Sequence, residues 1–119
     1  MEEVSRVRGT LGEVRAEQLL AQQGFVILAR NYRIPGAEID LIAQKGELIV
    51  FAEVKLRRTG TPGRMAVTPA KQRRMSVGAL DYMAKNDLMT HQARFDVIEI
   101  QGTCITHIEN AFPYQGTMV

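Results

Sequence analysis

The stretch Leu48-Ile49-Val50-Phe51-Ala52-Glu53-Val54-Lys55-Leu56 constrains the fold more than any other part of the chain. Read as a strand, Leu48, Val50, Ala52 and Val54 point one way, while Ile49 and Phe51 point the other. Apolar side chains on both faces mark a central strand covered on both sides. The pattern then breaks, because Glu53 and Lys55 fall on the Ile49/Phe51 face. Charged groups are seldom buried without a partner or an ion, since an unpaired buried charge is strongly unfavourable.

The rest of the chain supplies what such a strand needs. A helix is expected from about Thr10 to Gln23, with Thr10-Leu11-Gly12-Glu13 reading as a capping box and Gly24 as a stop. Gly12, Ala16, Leu19 and Leu20 share one face, with Glu13 at its edge. Strands follow at about Phe25–Arg30, Glu38–Ala43 and Glu47–Leu56. Residues 57–68, with Thr59-Gly60-Thr61-Pro62-Gly63 at the centre, read as a flexible basic loop. A second helix begins near Thr68 as N-cap with Pro69 at the first helical position, and buries Met75, Ala79, Tyr82 and Met83. Strands at Arg94–Ile100 and Cys104–Ile108 complete the set. The order is helix, three strands, helix, two strands. It implies one α/β domain over 1–119, with a mixed central sheet flanked by helices and its core at about 9–112.

Strand two repeats the anomaly of strand three, because Glu38 and Asp40 share a face with Ile42. With Lys45-Gly46 as a two-residue turn, Gln44 pairs with Glu47, Asp40 with Phe51 and Glu38 with Glu53. Asp40 and Glu53 are then diagonal neighbours on one face, about 7–8 Å apart at the backbone. A one-residue slip would separate them onto opposite faces. Two clustered carboxylates need a cation. A divalent ion such as Mg²⁺, held by oxygen ligands, would polarise a phosphoryl oxygen and acidify bound water. Lys55 would orient that water or neutralise developing charge. The competing reading is a buried ion-pair network, Glu38–Lys55 or Glu53–Lys55.

The net charge of +2 says little, but Lys55, Arg57, Arg58, Arg64, Lys71, Arg73 and Arg74 crowd one stretch without an acid between them. Such a basic stripe is the electrostatic footprint of a nucleic-acid binder, and equally describes a solvated loop and helix face. The longest apolar run, around Leu48–Ala52, is too short to span a bilayer, and the N-terminus lacks an apolar leader. One cysteine, Cys104, excludes an internal disulfide, and the expected location is the cytoplasm. No Walker loop or GxGxxG element is present.

Glu38-Ile39-Asp40-Leu41-Ile42, Phe51-Ala52-Glu53-Val54-Lys55 and Arg94-Phe95-Asp96-Val97 together resemble the YraN-like family of small bacterial proteins. Gly12-Glu13, Arg30-Asn31 and Ala111-Phe112 add to the likeness, which runs from about Gly9 to Phe112. That family is placed in the PD-(D/E)XK, restriction-endonuclease-like superfamily and is similar to archaeal Holliday-junction resolvases. The resemblance implies a metal-dependent endonuclease acting on DNA, branched or otherwise structured, with Mg²⁺ or Mn²⁺. It makes Asp40 and Glu53 metal ligands, Glu13 a helix-borne assistant ligand, and Lys55 the catalytic lysine. Glu38, Lys71 and Gln72 would support the site, and Arg57, Arg58, Arg64, Arg73 and Arg74 would bind nucleic acid. Ala37 stands where the family usually carries glycine. Monomer and homodimer both stay open. The alternative is a non-catalytic nucleic-acid binder using the fold as a scaffold; a third is a protein-interaction module.

Other residues are expected to be structural. His91 and His107 lack zinc-ligand spacing, and Asp96 fits a strand hydrogen bond. Tyr82 belongs to the core, Tyr32 could stack on a base, and Cys104 is expected to be buried.

Overall fold

A computed structural model describes residues 2–60 and 66–116. Its elements are α1 (Glu2–Gln22), β1 (Val26–Ile34), β2 (Ala37–Lys45), β3 (Leu48–Arg57), α2 (Pro69–Lys85), β4 (Gln92–Gln101) and β5 (Cys104–Phe112). The strands form one five-stranded sheet in chain order. β3 and β4 run parallel, joined across α2, and the other neighbours are antiparallel. The architecture is therefore α/β with a mixed sheet and two helices, compatible with a restriction-endonuclease-like core.

The two faces of β3 carry the two halves of the core. Ile49 and Phe51 pack with Ile42, Phe95 and Phe112 under Met75, Ala79, Tyr82 and Met83 of α2. Val50 and Ala52 pack with Leu41, Ala43, Ile98 and Ile100 under Ala16 and Leu20 of α1. Each fully buried side chain of this size contributes about 1.5–3 kcal/mol, so the strand's double apolarity is what fastens a helix to each face. Among the described residues, no helix is long and apolar enough to cross a membrane.

Three expectations change. The first helix begins at Glu2 rather than Thr10, so Thr10 and Glu13 lie within it and not at its start. The first strand continues to Ile34, and Pro35-Gly36 turns it directly into β2, with Ile34 opposite Ala37. Gly36 supplies the positive φ of +83° that such a turn demands. The register of the β2–β3 hairpin differs by two residues: Lys45 faces Leu48 and Ile42 faces Phe51. The turn is Gly46-Glu47, because Gly46 takes φ +58° at the first central position. A shift of two preserves parity, so the paired residues Leu41–Lys45 keep their expected faces.

The hairpin also comes apart where the charged residues begin. Its ladder ends at Leu41–Ala52, and the next position on each strand is Asp40 and Glu53. Beyond that point Ile39 turns to the α2 side, although Leu41, two residues on, packs under α1. Across from Asp40 on β1, Asn31 has φ 50°. β2 thus leaves β3 at Asp40 and opens a notch at the end of the sheet.

Candidate active site

The notch is built by the loss of ladder hydrogen bonds. The Val54 amide points toward β2 and donates to Asp40 Oδ2 at 2.8 Å. That bond satisfies a half-buried N–H and fixes the Asp40 carboxylate beside Glu53. Glu53 is buried, with its side chain 8% exposed, between two lysines. Lys55 Nζ lies 3.6 Å from Oε1, and Lys71 Nζ lies 3.5 Å from Oε2. Both contacts are longer than a good charge-assisted hydrogen bond, and Glu53 Oε2 has no hydrogen-bond partner among the described residues.

Electrostatics report the same crowding. Burial pushes the Asp40 carboxyl up, and Glu38 adds to this, against the Val54 N–H, Lys71 and Lys55. Burial also raises Glu53, reinforced by the negative charge of Asp40 and opposed by Lys71 and Lys55. Burial therefore outweighs the two lysines at both carboxyls, although the lysines formally balance their charge. Its donors are carboxylate oxygens, one of them held only by a long contact to Lys71. That set suits a hard divalent ion, which uses one or two carboxylates and completes its shell with water and substrate oxygens.

The residues expected at the site divide into those gathered and those held elsewhere. Asp40, Glu53, Lys55 and Lys71 come together. Glu38 stays at the rim, 40% exposed, and pairs with Arg33 at 3.2 Å rather than with Lys55. Glu13 accepts from Asn31 Nδ2 at 3.4 Å, and Asn31 is the residue across from Asp40. Four residues along α1, Glu17 takes both Arg30 contacts, at 2.7 and 2.8 Å. Glu13 and Glu17 thus tie Asn31 and Arg30 of β1 to α1. Among the described residues, no three carboxylate, imidazole or thiol groups gather closely enough to hold an ion, so Asp40 and Glu53 stand as a pair. Gln72 is directed away: its side chain donates to Val67 O at 2.9 Å, holding the segment that leads into α2.

The basic stripe is not uniform. Arg57 is 9% exposed and ion-paired with buried Glu99 on the adjacent strand, so it belongs to the interior rather than to an exposed phosphate-binding surface. Arg58, Arg73 and Arg74 are exposed. Arg64 lies outside the described residues.

Several residues escaped the sequence reading. Glu99 is buried opposite Lys55 in the β3–β4 register; an acid alternating with Ile98 and Ile100 was the available signal. Arg33 was missed because the Pro35-Gly36 turn was not recognised. Asp96, expected to be structural, anchors a network on the α1 side. It is fully buried and accepts both contacts of Arg94 at 2.8 Å, His107 Nε2 at 2.7 Å and the Asn110 N–H at 3.0 Å. Burial pushes its carboxyl up, but the His107, Arg94 and Asn110 bonds outweigh it and hold it below the usual range. Tyr82 is in the core as expected. Tyr32 packs edge-on against it at 5.1 Å and donates its hydroxyl to Asp81, which raises that hydroxyl to about 12. Its ring is committed rather than offered to a base. Cys104 is exposed, not buried.

Comparison with known proteins agrees with this framework. Residues 12–100 match the family described as "Uncharacterised protein family UPF0102". A UPF0102 protein of Pelobacter propionicus is 46% identical over 117 residues, covering 91% of this chain and 84% of its own. One from Geobacter metallireducens is 46% identical over 110 residues, with 87% and 90% covered. One from Symbiobacterium thermophilum is 48% identical over 101 residues, with 82% and 85% covered. The family match spans β1 through β4 and so includes Asp40, Glu53, Lys55 and Lys71. The chain belongs to the UPF0102 family, the YraN-like family that its Glu-Ile-Asp and Glu-Val-Lys elements resemble.

Proposed function

We propose that this protein is a metal-dependent endonuclease that hydrolyses phosphodiester bonds of DNA. The observation that carries the reading is Glu53: a buried carboxylate whose Oε2 makes only a long ion pair to Lys71, beside Asp40 and flanked on its other oxygen by Lys55. Asp40 and Glu53 would hold Mg²⁺ or Mn²⁺. When bound, such an ion polarises a phosphoryl oxygen and acidifies water.

The chain's own residues would do the rest. The Val54 N–H orients Asp40. Lys71 holds one side of Glu53 and opposes the effect of burial on its carboxyl. Lys55 stands half-exposed at the other side, able to orient a water or meet the negative charge that develops on the phosphorus oxygens. Glu13 would act from behind Asn31, keeping β1 seated across from Asp40. The resemblance to resolvases points to branched DNA as substrate, and a single cysteine fits a cytoplasmic location.

The two lysines on Glu53 also favour a second reading, a neutralised ion-pair cluster in a non-catalytic DNA-binding scaffold. A cleavage screen separates the two. Linear, flapped and four-way DNA would be incubated with Mg²⁺ or Mn²⁺ and with wild type, Glu53→Ala or Lys55→Ala. The nuclease reading expects cleavage by wild type, its loss in Glu53→Ala, and DNA binding without turnover in Lys55→Ala. Undiminished cleavage by both variants would place the activity elsewhere; binding without cleavage by wild type on every substrate would favour the scaffold.

A further inference from the structure

An open groove runs between the β1–β2 hairpin and the start of α2, lined by Arg33, Gly36, Ala37, Glu38, Lys71 and Arg74. Its inner end is Lys71, whose ammonium already reaches Glu53 at 3.5 Å. The groove is therefore continuous with the carboxylate site. Arg33 stands on the hairpin wall, 72% exposed. Arg74 stands exposed on the helix wall, without an ion-pair partner among the described residues.

The charge on the helix wall is unfavourable for the helix itself. The first turn of α2 contains no acid, and Lys71, Arg73 and Arg74 crowd its N-terminal half. The positive end of a helix dipole prefers anions, so cations there raise the local positive potential instead of relieving it. Among the described residues, Glu38 is the one acid lining the groove, and it is occupied by Arg33 across the hairpin. At Gly36 nothing lies within 4 Å of where a Cβ would stand, so the hairpin tip leaves the groove open. Among the described residues, no aromatic side chain lines it. An open cationic channel without a stacking surface suits a chain of phosphates read by charge, not bases read by edge or face.

We infer that this groove carries the DNA phosphodiester backbone next to the bond held at Asp40 and Glu53, with Arg33 and Arg74 contacting phosphates. Glu38 is the internal counterion that Arg33 exchanges for a phosphate. The inference rests on the nuclease reading for its choice of DNA, but it concerns binding and not cleavage.

The test is equilibrium binding of labelled duplex and four-way DNA across a KCl series, with EDTA present so that no bond is cut. Wild type, Arg33→Ala/Arg74→Ala, Glu38→Gln and Lys85→Ala are compared; Lys85 is an exposed cation at the far end of α2. Each duplex phosphate contact contributes about 0.9 to the slope of log K against log salt. The double variant should flatten the slope by roughly 1.8 and weaken binding at least about tenfold near 0.1 M salt. Glu38→Gln should tighten binding, and Lys85→Ala should leave the slope unchanged. An unchanged slope in the double variant, or equal flattening by Lys85→Ala, overturns the inference. If wild type cleaves DNA in Mg²⁺ and the double variant keeps its slope, the groove assignment fails and the nuclease reading stands. If the double variant loses binding as expected but wild type cleaves nothing, the nuclease reading fails and the groove stands.

Discussion

At the scale of single residues, Glu53 departs most clearly from what folding alone would select. Its carboxyl is raised chiefly by burial and then by Asp40, with Lys71 and Lys55 failing to restore it fully. A raised carboxyl binds its proton more tightly in the folded state than in the unfolded chain. Stability at this position is therefore fullest below the ordinary carboxylate pKa and falls as pH rises toward the raised folded value. At neutral pH the ionised group opposes folding. Glu53→Gln keeps the shape and removes that charge, so thermal unfolding at pH 7 without metal should occur at a higher temperature than in wild type. The gap should close as pH drops toward 4. A lower melting temperature for the variant at pH 7 would mean that the lysine pairs outweigh burial and that Glu53 is a structural ion-pair partner.

At the scale of elements, the position of α2 decides whether Lys71 reaches Glu53. Gly78 makes that position possible. A Cβ there would lie 3.0 Å from Ile39 Cδ1 and 3.4 Å from Ala37 Cβ, so the helix rests almost directly on β2. Lys71 and Arg74 are carried on the turns before it. Gly78→Ala asks Ile39 to give a few tenths of an ångström while improving helix propensity by about 1 kcal/mol, and should be near neutral. Gly78→Leu overpacks the contact, should destabilise by about 1–3 kcal/mol, and should lift the start of α2 from the sheet. Thermal unfolding and DNA cleavage measured on both variants check this: cleavage should survive in Gly78→Ala and fall strongly in folded Gly78→Leu. Equal activity in the two would show that helix seating does not set the site.

Element order and the core faces were legible because β3 is apolar on both sides and α2 carries its apolar residues at helical spacing. The Asp40–Glu53 neighbourhood was legible through parity alone, since a two-residue error in register preserves faces. Three things were not legible. The separation of β2 from β3 at Asp40 depends on a side chain replacing a backbone acceptor, which periodicity does not encode. The fate of Arg57 depends on Glu99, more than forty residues away. Glu13 lies within a longer helix, where a local capping motif is only a chance match.

At the scale of the whole molecule, the sheet places two different treatments of buried charge on its two sides. On the α1 side, Asp96 is satisfied by Arg94, His107 and a backbone amide, and its carboxyl is lowered. On the α2 side, burial raises the Asp40 and Glu53 carboxyls in spite of Lys71 and Lys55. The same fold therefore outweighs burial at one buried acid and leaves it dominant at two others. An ion bound at Asp40 and Glu53 would use that asymmetry. Calorimetric titration of Mn²⁺ into wild type and Glu53→Gln at neutral pH tests it most directly. One ion should bind wild type, with affinity falling at least about tenfold when a negative ligand is replaced by a neutral one; equal affinity in the two proteins would contradict a metal site at Asp40 and Glu53.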